Sequence, residues 1–142
     1  MIELSMVTVS ELHVSDYLAG ASMVFGIILI ADQVLSVFYG YSSLASTGVA
    51  NGEGIIFSIS LHTISAMLSG YLIGRRNVKN FIQAATVVAV LAYLFESIYL
   101  RLFLGSFGNI WSLISIIIGG ILGAAFAKIQ KEKRALVSGA NK

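Results

Sequence analysis

The sequence lacks cysteine and proline, and charged residues make up only 11% of its 142 positions. Without cysteine, disulfide bonds, iron–sulfur clusters, thiolate metal sites and cysteine nucleophiles are excluded. Proline interrupts helices, and broken helices often mark the binding sites of transporters. Without proline, the helices of this chain are expected to be straight. The scarce charge accompanies 57% hydrophobic residues and a mean hydropathy of +0.89, well above ordinary globular usage. This composition predicts a membrane protein.

Four apolar runs, each about 20 residues long, have the length of an α-helix that crosses a bilayer. Backbone groups in hydrocarbon must be paired within helices or a closed barrel, and runs of this length favour helices over short alternating strands. The sequence therefore predicts an all-α integral membrane protein, a four-helix transmembrane bundle that forms a single domain. The spans are expected at about residues 17–39, 54–74, 81–104 and 109–127.

Polar residues that commonly cap helices precede each predicted span. Asp16, Asn51 and Asn109 are expected to act as N-caps of the first, second and fourth helices. Asn80, followed three residues later by Gln83, resembles a capping box at the start of the third helix.

Basic residues are concentrated in two segments. Of nine Lys and Arg residues, three lie in the turn 75–79 and five in the tail 128–142. The positive-inside rule makes both segments cytoplasmic, and an even number of spans then places both termini in the cytoplasm, most simply at the cell membrane. Residues 1–16 contain no basic residue and are expected to form an interfacial segment. The ninth basic residue, Arg101, lies near the outer end of the third span.

The first three spans each carry an ionisable residue within an apolar run, namely Asp32, His62 and Glu96. At a helical rise of 1.5 Å per residue, all three lie roughly 10–12 Å below the outer membrane boundary. An ionisable group facing lipid costs about 2.5–3.5 kcal/mol on insertion scales, so the three are expected to face inward and meet. Such a cluster is typical of a proton or cation site, or of a metal site with one imidazole and two carboxylates. Alternatively, the three residues are interhelical hydrogen-bond links that hold the bundle together.

Two further sets of residues extend this prediction. Polar side chains on the spans are expected to support the cluster: Gln33, Ser36, Ser58, Ser65, Tyr99 and Arg101. Small residues at four-residue spacing allow helices to approach closely, and they include Gly70, Gly74, Gly119, Gly123 and Ala127. The stripe from Gly119 to Ala127 packs either against another helix of the same chain or against a second copy.

No Walker loop, dinucleotide fingerprint, HExxH helix or nucleophile elbow occurs, so no enzyme class is indicated. A small polytopic protein without a soluble domain is most typical of a non-enzymatic subunit or assembly component of a membrane complex or homo-oligomer. The alternatives are a proton-coupled transporter or channel that uses the Asp, His and Glu cluster, and a small membrane metalloenzyme. The expected partners are the lipid bilayer and other membrane-embedded chains, not nucleic acid. A haem held by two histidines of one chain is not expected, since His13 lies outside the predicted spans.

Overall fold

The structure, a computed structural model, describes residues 12–39, 52–76 and 80–140. These residues form four helices, α1 (Val14–Tyr39), α2 (Gly52–Arg75), α3 (Phe81–Leu104) and α4 (Ile110–Ala140). Each helix is long and apolar enough to cross a membrane. The described part of the chain is therefore all-helical and compatible with a four-helix transmembrane bundle. Most of the predicted interfacial segment and the predicted cap Asn51 lie outside the described residues.

The N-terminus of α1 differs from the prediction that Asp16 is its N-cap. The helix already begins at Val14. Asp16 is its third residue, and its Oδ2 atom accepts the backbone N–H of His13 at 3.0 Å. The prediction was wrong because a carboxylate in the first turn can reach back to the residue before the helix, where it also faces the positive end of the helix dipole.

The predicted caps of the other helices have mixed outcomes. Asn80 precedes α3 without a side-chain capping hydrogen bond, so the predicted capping box is absent. Its ψ of 66° departs from the extended backbone that directs an N-cap side chain toward the first turn. Asn109 is confirmed as a cap of α4, because its Oδ1 accepts the backbone N–H of Trp111 at 3.1 Å. Gly105 ends α3 in a left-handed conformation with φ of 65°, which residues other than glycine rarely adopt.

Helix α4 continues well beyond the span that the hydropathy pattern predicts. It has 31 residues, so its length is about 46 Å against about 30 Å for the hydrocarbon core of a bilayer. The helix includes the basic residues from Lys128 to Arg134, which are exposed. Lys, Glu, Arg and Ala are strong helix formers, and the helix therefore persists where hydrophobicity ends.

The helices surround a common interior in the order α1, α3, α4, α2. Helix α2 makes its most extensive contact with α4, whereas α2 and α3 face each other across the bundle and touch little. The interior is built largely from alanine, glycine and serine. Large apolar side chains point outward, as Ile64, Ile98 and Leu122 do with more than half of their surface exposed. Small residues inside and large ones outside are typical of helices that pack within lipid.

Helices α2 and α4 run parallel and are in backbone contact along a ladder of small residues. A methyl group added at Gly70 would collide with the Gly120 carbonyl, and one at Gly74 with the Ala124 carbonyl. From the other side, methyl groups at Gly119 and Gly123 would meet the carbonyls of Thr63 and Met67. Such proximity allows weak Cα–H···O contacts between the two helices. The stripe of α4 therefore packs against α2 within the chain.

Candidate functional site

The orientation of the His62 ring is fixed by a hydrogen bond to the backbone of its own helix. Its Nδ1 atom lies 2.6 Å from the backbone carbonyl oxygen of Ser58, one turn earlier. A carbonyl oxygen can only accept, so Nδ1 must carry the proton in this contact. The Ser58 hydroxyl oxygen lies 3.4 Å from the same nitrogen and is the second polar atom on this side of the ring. The other ring nitrogen, Nε2, is directed away from α2 toward the interior.

The Nε2 atom of His62 meets Glu96 of α3 in the middle of the bundle. The distance from Nε2 to Oε1 of Glu96 is 3.1 Å, and the two side chains are only 6% and 10% exposed. Because α2 and α3 barely touch elsewhere, this hydrogen bond is a principal direct link between them. Two lone pairs at this distance would repel, so one proton must lie between the nitrogen and the oxygen.

The shared proton makes the pair electrically neutral in either of its two arrangements. The proton resides on Nε2, giving an imidazolium and a carboxylate, or on Glu96, giving a neutral imidazole and a carboxylic acid. Both arrangements have zero net charge. Burying them therefore costs much less than burying a single unpaired charge. The neutral pair is thus suited to a dry interior.

The second carboxyl oxygen of Glu96 has no such partner. Oε2 is buried, and no described residue forms a hydrogen bond with it; the same holds for the hydroxyl of the next residue, Ser97. An unsatisfied buried polar atom costs about 1–3 kcal/mol, and such atoms are rare enough in native proteins to require an explanation. A carboxylic acid lowers this cost, because its unpartnered atom is then a carbonyl oxygen without formal charge.

Asp32 of α1 lies on the same side of the bundle. It is partly exposed, and its carboxylate is near enough to act electrostatically on the His62 imidazole. However, the described residues contain no group of three His, Cys, Asp or Glu side chains that could hold a metal ion. Both nitrogens of His62 are already engaged in hydrogen bonds. The structure therefore joins His62 and Glu96 directly and gives them no metal-binding geometry.

The predicted supporting residues divide into those near the pair and those that lie apart. Ser58 contacts the His62 ring as described above, and the buried Ser65 donates its hydroxyl to the Leu61 carbonyl at 2.7 Å. Gln33 is exposed on α1 and lies away from the interior. The side chain of Ser36 lies outside the described residues.

Two further supporting residues lie toward the C-terminal end of α3. The Tyr99 ring packs against Phe25 with ring centres 5.8 Å apart, at the contact between α1 and α3. The exposed Arg101 guanidinium lies 4.8 Å from the centre of the Phe107 ring, at the turn that follows α3. Neither side chain forms a described hydrogen bond with the His62–Glu96 pair.

Sequence reasoning missed two polar links between helices. Ser69, buried on α2, donates its hydroxyl to the Gly20 carbonyl of α1 at 3.1 Å. Tyr71 donates its hydroxyl to the side-chain oxygen of Gln130 on α4 at 2.7 Å. The position of Ser69, four residues after Ser65, was the available signal. Gln130 gave none, because it belongs to the basic tail, which was predicted to lie in the cytoplasm beyond the fourth span.

Between the pair and the basic end of the bundle, the interior contains the buried hydroxyls of Ser65 and Ser69 and is otherwise apolar. A space there is too narrow to hold a water molecule. Its lining includes the large side chains Val24, Ile73, Val88 and Ile116. Passage of an ion or of water along this route would require these side chains to move apart.

No protein-family model, curated protein or solved structure matches the chain. The contacts of His62 and Glu96, and the surfaces of the four helices, are therefore the observations from which function is inferred.

Proposed function

We propose that the chain is a non-enzymatic membrane subunit that works in association with other membrane-embedded helices. In this proposal the His62–Glu96 pair is a neutral hydrogen-bond link that fixes α2 against α3. The pair's lack of net charge and its burial support this role, as does the engagement of both imidazole nitrogens. A metalloenzyme is less well supported, because no three His, Cys, Asp or Glu side chains among the described residues are grouped so that they could hold a metal ion.

The observation that carries the association is the position of Gln33. Its side chain is exposed on α1 within the apolar stretch Val14–Val34. An amide group in hydrocarbon loses the hydrogen bonds it makes in water, and lipid tails offer no replacement. A transmembrane helix of another chain would supply them, as polar side chains between such helices commonly do.

The proposed orientation follows from the positive-inside rule. The ends of α1 and α2 meet at an ion pair between Asp16 and Arg76, which places the start of α1 beside the end of α2. The basic extension of α4 emerges at the same end, where Lys128 lies over the Phe81 ring. We propose that this end faces the cytoplasm and that the membrane is the cell membrane.

Purification from native membranes in a mild detergent tests the association. We expect the tagged chain to be recovered as an oligomer or with a second membrane protein, as measured by light scattering and mass spectrometry. The substitution Gln33→Leu should weaken this association, whereas Gln83→Leu, which removes an exposed amide from the first turn of α3, should leave it intact. Recovery of the wild-type chain as a monomer without a partner would refute the proposal.

Proton-coupled transport is a second candidate, and it is favoured by the Oε2 atom of Glu96, with which no described residue forms a hydrogen bond. A carboxyl group with one free oxygen can exchange its proton when the pair opens toward water. The apolar space beyond the pair would then separate the two sides of the membrane between exchange events.

Flux measurements in proteoliposomes test this second candidate. We expect a pH gradient to drive ion or substrate flux in the wild type, and Glu96→Gln to abolish it because an amide cannot exchange the shared proton. Ser97→Ala, which removes the neighbouring hydroxyl without touching the pair, is the matched control and should retain flux. If reconstituted wild-type protein shows no pH-dependent flux, transport is excluded as the role of the pair.

A further inference from the structure

Helices α2 and α4 leave the apolar part of the bundle in one layer. Gly74, near the end of α2, packs against Ala127 of α4. The residues that follow them, Arg75 and Lys128, therefore lie at about the same height. The apolar stretch of α2 ends at Arg75, and the ion pair described above holds the start of α1 in the same layer. This layer is where the hydrocarbon of a bilayer would give way to the headgroups of its lipids.

Positive charge predominates in this layer and beyond it. The basic side chains described there are exposed, namely Arg75, Arg76, Lys128, Lys131, Lys133 and Arg134. The carboxylate of Asp16 is paired with Arg76, and Glu132 is two positions from Arg134, hence about 200° away around α4. Neither Arg75 nor Arg134 forms an ion pair with a described residue. Their guanidinium groups can therefore bind an anion.

Two of these basic residues lie near Tyr71, between the end of α2 and the extension of α4. The Arg75 guanidinium is 5.9 Å from the centre of the Tyr71 ring, which packs against Phe126 with ring centres 6.2 Å apart. The Tyr71 hydroxyl donates to Oε1 of Gln130, whose amide nitrogen carries two N–H donors. Arg134 follows Gln130 by four residues and lies on the same side of α4. We call Tyr71, Arg75, Phe126, Gln130 and Arg134 the Tyr71 cluster.

The height of the Tyr71 cluster matches the headgroup region of a bilayer. Gln130 and Arg134 rise about 3 and 9 Å beyond Lys128, and the headgroup region is about 5–7 Å thick on each side of the hydrocarbon. Helix side chains lean toward the N-terminus of their helix, so the long side chain of Arg134 extends back toward the hydrocarbon. An inserted bundle is surrounded by lipid headgroups at this height, and their phosphates are the anions within reach.

We propose that the Tyr71 cluster binds the phosphate group of an anionic phospholipid from the surrounding membrane. A guanidinium group matches a phosphate with paired hydrogen bonds, and Arg75 and Arg134 supply two such groups. The amide of Gln130 adds a neutral donor, and the rings of Tyr71 and Phe126 are typical of the border between headgroups and acyl chains. A zwitterionic lipid is a poorer ligand, because its ammonium group would approach the two arginines. Such binding does not require association with another protein chain.

Lipid titration of the purified full-length chain in a mild detergent tests this site. Native mass spectrometry would count bound phosphatidylglycerol and phosphatidylcholine that carry the same acyl chains. We expect the wild type to bind phosphatidylglycerol more tightly. Arg75→Gln and Arg134→Gln should each weaken that binding about fivefold, the effect expected for one basic residue near a membrane surface. Arg101→Gln is the matched control, because it removes an exposed arginine that lies over the Phe107 ring at the other end of the bundle, and it should leave binding unchanged.

Three results would overturn the proposal. Equal binding of the two lipids by the wild type would mean that the basic residues only orient the chain in the membrane. A preference for phosphatidylglycerol that persists in both Arg75→Gln and Arg134→Gln, or that is lost equally in Arg101→Gln, would show that the lipid does not bind at the Tyr71 cluster. Displacement of the bound lipid by an equal concentration of inorganic phosphate would show that the site takes a free anion. Circular dichroism should give the same helical content for all variants, since the three arginines are exposed.

Discussion

Replacing Gly70 by leucine is expected to lower the free energy of unfolding by about 3 kcal/mol and to separate α2 from α4. Even the first carbon of the new side chain would collide with the Gly120 carbonyl and come within 2.9 Å of its Cα atom. These atoms belong to a helix backbone, which cannot move aside as the end of a flexible side chain can. Since domains are stable by only about 5–15 kcal/mol, a loss of this size is a large fraction of the total.

Alanine substitutions on the same interface provide a matched comparison. Gly70→Ala should destabilise the bundle by about 1–3 kcal/mol, because its methyl group meets the same backbone atoms. Gly120→Ala should be neutral or stabilising by up to about 1 kcal/mol, since its methyl group would lie at ordinary contact distance, 3.5 Å, from the Ala85 carbonyl and alanine is the better helix former. Denaturant titration in mixed micelles, followed by circular dichroism, measures both. Equal effects of the two alanines would show that the predicted backbone contact is absent.

Removing His62 is expected to be more damaging than neutralising its partner. His62→Ala leaves the Glu96 carboxyl group buried without its hydrogen bond to Nε2, and breaking a buried pair in this way costs about 3–5 kcal/mol. In contrast, Glu96→Gln retains the length of the side chain, and its amide N–H can donate to the Nε2 lone pair of a neutral imidazole. We expect this variant to lose less than about 1.5 kcal/mol, the net value of an ordinary hydrogen bond.

The relative stability of His62→Ala and Glu96→Gln is the result that tests the neutral pair. Unfolding midpoints in the same micelles should place Glu96→Gln near the wild type and His62→Ala well below it. Ser65→Ala is a useful control, because it removes a buried hydroxyl of α2 whose partner is its own helix. If Glu96→Gln proves as destabilising as His62→Ala, the pair depends on the imidazolium–carboxylate arrangement, and a link between a neutral imidazole and a carboxylic acid is contradicted.

Much of the architecture can be predicted from the sequence, because a lipid environment restricts the structures that apolar segments can adopt. Long apolar runs must become helices, and an ionisable group within them must find a polar partner. Counting residues from the outer ends of the spans placed His62 and Glu96 at one depth, and the structure brings these two side chains into contact. The spacing of small residues likewise indicated which sides of α2 and α4 permit close packing.

Other features depend on which helices become neighbours, and the sequence does not specify this. Four spans can surround an interior in several orders, so the parallel contact between α2 and α4 required the structure. Gln33 was expected to support the cluster. It follows Asp32 directly, and because one residue corresponds to a rotation of about 100° around a helix, Gln33 lies on the outward side.

A double-mutant cycle between His62 and Glu96 tests most directly whether these side chains link α2 and α3 through the interior. The free energies of unfolding of wild type, His62→Gln, Glu96→Gln and the double variant would be measured in the same micelles. A coupling energy of about 1 kcal/mol or more is expected for two residues in direct contact within a buried polar link. Additive effects, within about 0.3–0.5 kcal/mol, would mean that the two residues act independently and would contradict the link.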